Sequence, residues 1–295
     1  MLPPAPAAGG LLWGSLGVLA FSFTVPLTRI AVGGLAPLFI GSGRAVVAAV
    51  LAALALRVTR AARPTSRQWL RLAVVAGGVV AGFPLLTSFA LTSTPAVHGA
   101  VVIAVLPAAT AVTAVLRTGE RPPTTFWVTA AIGAGAAVAF AAVQGGGAGG
   151  LHHAADLLLL GAVAAAAIGY AEGGLLAREL GSWQTISWAL VLASPAMLAL
   201  TLVSAVSTPP AATAGQWAAF GYLAVVSTFL GFFAWYRGLG IGPMTRVSQV
   251  QLVQPVLTIT WAALLLGEPL TATTAVGGLL VIGSAALAVR SRTRS

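Results

Sequence analysis

The chain has no cysteine and no lysine, and only five of its 295 residues are acidic. Without cysteine there is no disulfide framework, no thiolate metal site and no thiol chemistry. Without lysine there is no P-loop, whose phosphate-binding sequence requires one, so ATP-driven pumping by this chain alone is excluded. Charged residues make up 7% of the sequence, against about a quarter in an ordinary soluble domain. That is too few to cover a soluble surface, and the apolar content excludes a disordered chain.

What is present is apolar: 58% of residues are hydrophobic, and 35 more are glycine. A bilayer core needs about 20 apolar residues per helix. Ten such runs are expected, at 11–30, 35–56, 72–91, 96–117, 124–143, 155–176, 185–203, 215–237, 245–266 and 271–290. Turn chemistry separates them, as at Arg63-Pro64, Pro122-Pro123, Pro209-Pro210 and Glu268-Pro269. Barrel-type alternation is absent. The first run is expected to be a true span, because it is longer than a signal-peptide core and no positive charge precedes it. Thirteen of the fifteen arginines fall on one set of connecting segments and span ends; Arg29 and Arg44 are the exceptions. This bias places both termini on the cytoplasmic side of the membrane. It also accounts for the +10 net charge without nucleic acid as a partner.

The apolar sequence hides a repeat. Residues 91–120 read LTSTPAVHGAVVIAVLPAATAVTAVLRTGE, and residues 239–268 read LGIGPMTRVSQVQLVQPVLTITWAALLLGE. At a constant offset of 148, Pro95 matches Pro243, Pro107 matches Pro255, Gly119-Glu120 matches Gly267-Glu268, and Gly135 matches Gly283. Five runs lie in one offset, an odd number, so the two copies must be upside down relative to each other. Inverted repeats are a building plan of secondary transporters. The fold expected is an all-α integral membrane protein, with ten transmembrane helices as two inverted five-helix repeats at 11–143 and 155–290.

Ten spans and a repeated P-(x)11-P-(x)11-G-E pattern resemble the drug/metabolite transporter (DMT) superfamily, EamA type. The resemblance covers residues 11–290. It implies a proton-coupled or facilitative carrier of small organic metabolites, often an exporter, in a bacterial cytoplasmic membrane. It also implies an arginine in the second span, here Arg44 in FIGSGRAVVAA; the second half has Val191 near the matching place.

Polar groups at membrane depth are costly and usually face a cavity or a partner. Arg44 is read as a cavity cation able to hold a carboxylate bidentately, or as a structural clamp. Glu172, in GYAEGGLL, is read as a cavity carboxylate able to exchange protons or to receive a cationic group. If the helix ends at Gly173-Gly174, it is instead an interfacial partner of Arg178. His98 and its repeat partner Arg246 are candidate gate residues. Ser248, Gln251, Gln254 and Thr258 recur at intervals of three or four and share one helix face, which should line a cavity or a helix contact. Tyr170 and Trp235 are candidate aromatic walls. Pro95, Pro107, Pro243 and Pro255 are candidate hinges, since proline frees a backbone carbonyl and bends a helix. Glu120 and Glu268 stand just before the last helix of each repeat, where an acid suits the N-terminal dipole. His152-His153 has no carboxylate at ligand spacing, so no metal is expected, and no cofactor.

The expected partners are the lipid bilayer, a small-molecule substrate and, through Glu172, a proton. A membrane enzyme would need a catalytic constellation, and neither HExxH nor GxSxG occurs. A receptor without transport activity is the remaining alternative; it would have a solid core where a carrier has a polar cavity. An arginine and a carboxylate in one cavity would suit a zwitterion such as an amino acid.

Overall fold

A computed structural model describes residues 6–119, 123–144, 151–241, 247 and 250–292. All regular structure among them is helical. Seven helices are long and apolar enough to cross a membrane: α1 (Gly9–Ala31), α2 (Pro37–Val58), α3 (Ser66–Ala90), α4 (Ala96–Arg117), α6 (Ala154–Leu180), α7 (Ser182–Ser207) and α8 (Ala214–Ile241). Three more segments complete the described chain: α5 (Thr124–Gln144), α9 (Gln251–Leu266) and α10 (Ala272–Arg292). The apolar stretch of α9 is shorter, and it follows 248–249, outside the described residues.

The helices pack as α2 on α7, α1 on α8, α5 on α10, α3 and α4 on α6, and α9 on α1 and α4. Small residues let the backbones approach, as membrane helices require when lipid is as apolar as leucine. At the α3–α6 crossing a methyl on Gly78 would come within 2.9 Å of the Gly169 Cα, so glycine is needed there. α6 runs unbroken through Gly173-Gly174 to Leu180. A β-carbon on Gly173 would run into the Tyr236 hydroxyl. These glycines therefore serve packing with α8 and do not end the helix.

Local features recur 148 residues apart. α3 and α8 each begin with a capping box, Thr65 with Gln68 and Thr213 with Gln216. Each satisfies two N–H groups that a helix start leaves bare. Both helices widen to π-helical turns midway, at Ala76–Gly82 and Leu223–Leu230. α4 and α9 both end on a left-handed glycine, Gly119 (φ 72°) and Gly267 (φ 65°), a conformation that costs other residues a Cβ clash. Both are also irregular just before a proline. α4 loses its regular turn at Ala104-Val105, and α9 starts with a 3₁₀ turn at Gln251–Val253. Pro107 and Pro255 then occupy the first turn of the following half-helix, where no N–H is required.

The starts of α3 and α8 lie at opposite ends of the bundle. At the far end of α3, Arg29 Nη1 donates to the Leu91 carbonyl at 2.8 Å, twenty residues or about 30 Å of helix beyond Arg71. The start of α8 sits near that Arg29 end: a β-carbon on Gly34 would run into the Gln216 side chain.

Candidate functional site

A cavity lies at the breaks in α4 and α9, between the two π-helical turns. α1 contributes Phe21 and Thr24, α2 Arg44, α3 Val79 and Phe83, and α6 Tyr170. α8 adds Ser227 and Phe232, α4 adds Pro107, and α9 adds Gln251, Gln254, Pro255 and Thr258. The free space is about 30 Å³, room for one or two waters. The polar stripe expected on the ninth span therefore does face a cavity at Gln251, Gln254 and Thr258; Ser248 lies outside the described residues.

Arg44 dominates the site's chemistry. It is 2% exposed, and its Nε and Nη1 have no hydrogen-bond partner. Gln251 Nε2 and Gln254 Oε1 are likewise buried and unpartnered. Buried polar atoms are nearly always paired, because leaving one unpaired costs about 1–3 kcal/mol and more for a charge. A guanidinium and two carboxamides, with no compensating carboxylate among the described lining residues, present hydrogen-bonding groups of the kind that suit an anion. Of the remaining polar lining, Thr24 Oγ1 and Ser227 Oγ are paired, 2.8 Å apart. Aromatic faces close one side, with Phe21 packed on Phe232 at 4.8 Å and Tyr170 5.8 Å from Phe232.

Several sequence-based expectations need correction. Glu172 does not line this cavity. Its carboxylate accepts from Arg71 Nε and, at 2.7 Å, from Arg117 Nε, and Arg71 also donates to Glu179. These ions border a separate cleft of about 280 Å³ between α3, α4 and α6. With two arginines on it, Glu172 holds a fixed charge, and the expected pairing with Arg178 gives way to Arg71 and Arg117. Trp235 is buried between α8 and α1, its backbone against Gly17, and does not line this cavity. His98 pairs with Asp156, Nε2 to Oδ1 at 2.6 Å, away from the cavity. Pro95 stands before the first turn of α4 as its cap residue, so it bends no helix; Pro243 and Arg246 lie outside the described residues. Glu268 caps a different helix from the one expected: its carboxylate accepts from the N–H groups of Ala96 and Val97, at 2.8 and 2.7 Å. Glu120 lies outside the described residues. No group of three or more metal-ligating side chains occurs among the described residues.

Phe21, Phe232, Thr24 and Ser227 escaped the sequence reading, as did Asp156. Asp156 carried a usable signal, since an acid within an apolar run calls for a partner.

A bundle of apolar spans around a small cavity with a buried arginine is the build of a multi-span membrane protein. The EamA-like transporter family matches residues 8–142 and again residues 153–290, and the chain belongs to that family, within the DMT superfamily. It is 41% identical over 267 residues to "Uncharacterized transporter YdeK" of Bacillus subtilis (strain 168), covering 88% of this chain and 89% of that one. A solved crystal structure shares the fold over 98% of this chain and 99% of its own, with a TM-score of 0.65 at 18% identity.

Proposed function

We propose that the protein is a secondary transporter that exports small organic metabolites such as amino acids across the cytoplasmic membrane. The substrate's carboxylate docks on Arg44, with Gln251 and Gln254 completing its hydrogen bonds. Ten spans form two inverted five-helix repeats, both termini are cytoplasmic, and the repeats alternate access to the cavity. The observation that carries this reading is the buried, unpartnered Arg44 guanidinium beside two unpartnered glutamines. The paired caps, π-helical turns and proline breaks at one offset support the repeat. The opposed starts of α3 and α8 support its inversion.

The test is counterflow in proteoliposomes with labelled amino acids, sugars and cationic drugs. Exchange of a carboxylate-bearing solute that Arg44→Gln abolishes, in a protein that still folds, is the expected result. Undiminished exchange by Arg44→Gln would remove Arg44 from the site. Exchange confined to sugars or cations would overturn the assignment.

A further inference from the structure

The described residues include four of the five acids, and three have partners that do not titrate near neutral pH. Glu172 and Glu179 are held by arginine, which stays protonated in proteins. Glu268 is held by backbone N–H groups. Asp156 alone among them is paired with a titratable side chain, His98, and both are buried. Histidine as a residue type changes charge in the range a living membrane experiences. This pair therefore differs in kind from the other ionic contacts.

We infer that the His98–Asp156 pair is a proton-binding site that controls the parting of α4 from α6 at this end of the bundle. The inference rests on the carrier reading but uses other residues. His98 is in the first turn of α4, two residues before the cavity-lining Ala100 and five before Ile103. Asp156 is near the start of α6, which carries Ala166 and Tyr170 into the same cavity. A joint here holds two walls together. With a proton bound, imidazolium faces carboxylate at 2.6 Å in a charge-assisted hydrogen bond. When the proton leaves to water at this end, Asp156 keeps its charge and loses its counter-ion, and the joint weakens.

Among the described residues, no neighbour replaces that counter-ion. From α5 comes the Phe140 ring, 5.2 Å from the imidazole. α1 brings Arg29, occupied by the carbonyls of Leu91 and Thr92. The α9–α10 connection brings Glu268, of the same sign as Asp156. α9 has no charged residue. Arg290 on α10 is twelve residues past Gly278, which faces Val101 of α4, or about 18 Å along the helix. On α6, His152 and His153 precede Asp156; their side chains lie outside the described residues. At the 148-residue offset stand Ala8 and Arg246, so the sequence has no matching titratable pair in the other half. Proton control belongs to one end.

The absence of native cysteine makes the test direct. Ala100→Cys places a single thiol on the α4 wall, where the native side chain is 1% exposed. Its labelling by a maleimide in detergent-purified protein reports opening. The same reporter with His98→Gln corrects for thiol ionisation. The expected result is that the labelling rate with His98, divided by that with His98→Gln, rises roughly tenfold from pH 5 to 8, the scale of one charge-assisted hydrogen bond on a two-state opening. Asp156→Asn, as an independent second variant, should flatten the profile in the same way. A ratio constant across that range, or a wild-type profile that survives in Asp156→Asn, overturns the inference. Counterflow by the wild-type protein is measured alongside. Its absence tells against the carrier reading, and a flat labelling ratio with counterflow intact tells against the proton site alone.

Discussion

The two ends of the cavity are closed by opposite chemistry at corresponding positions. Near the start of α3, positions 71, 117 and 172 hold Arg, Arg and Glu, and positions 74, 113 and 171 hold the small residues Val, Thr and Ala. At the 148-residue offset, near the start of α8, positions 219, 265 and 24 hold Ala, Leu and Thr. Positions 222, 261 and 23 there hold Tyr, Trp and Phe. One end is an ion cluster beside an open cleft. The other is filled: Phe23 stacks on Trp261 at 4.6 Å and meets Tyr222 edge-on at 5.8 Å. Trp261 Nε1 donates to Ser22 Oγ at 3.0 Å. Where these positions hold charge and a gap in one half, their matches in the other hold aromatic bulk and no charge. On the proposed inverted-repeat reading, the halves share a backbone plan while these matched positions differ, ionic in one half and aromatic in the other.

Breaking the ionic end should have the largest effect. Glu172→Ala leaves Arg71, only 15% exposed in its side chain, facing Arg117 with the half-exposed Glu179 as its one remaining carboxylate. A loss of about 3–5 kcal/mol is expected, the usual consequence of stripping one partner from a buried pair. Thermal unfolding in detergent reads it, and a shift no larger than that of a surface substitution would show that water already screens the cluster. At the aromatic end, Trp261→Ala should cost somewhat less, about 3 kcal/mol, because the ring is only partly buried.

Salt sharpens the comparison further. Raising it from 50 to 500 mM should weaken the ionic end by on the order of 1 kcal/mol, since half-exposed Arg117 is open to screening. Glu172→Gln should remove that salt response, and Trp261→Ala should leave it intact. The smallest effect belongs to Tyr222→Phe, which removes the 3.2 Å hydrogen bond to the Ala20 carbonyl and keeps the ring. A loss of about 0.5–1 kcal/mol is expected. A larger one would mean that the hydroxyl, and not the ring packing, holds that end.

The long helices were legible because apolar runs and turn residues set where a span begins and ends. The cavity was legible where polarity marked a face, as at Arg44, Gln251, Gln254 and Thr258. It was illegible on faces that are apolar all round. Core and lipid are equally apolar, so periodicity does not tell Phe21 and Phe232, which line the cavity, from Trp235, which does not. Depth misled in the same way. Glu172 is two residues from Tyr170, yet two residues turn a helix by about 200°, and its carboxylate points to the arginines. The Thr-x-x-Gln signatures at 65–68 and 213–216 were available in the sequence as further repeat markers, and caps of this kind are read from side chains alone.

The 30 Å³ cavity also sets how tightly a solute can bind. Sites for small organic ligands usually offer about 300–1,000 Å³, so on the proposed reading seating a solute and parting an end of the bundle are a single event. The affinity measured in solution is then the intrinsic affinity scaled by the fraction of molecules already parted. With one molecule in a hundred parted, it is about a hundredfold weaker. Substitutions that loosen either closure without touching Arg44 should therefore make the protein a tighter binder.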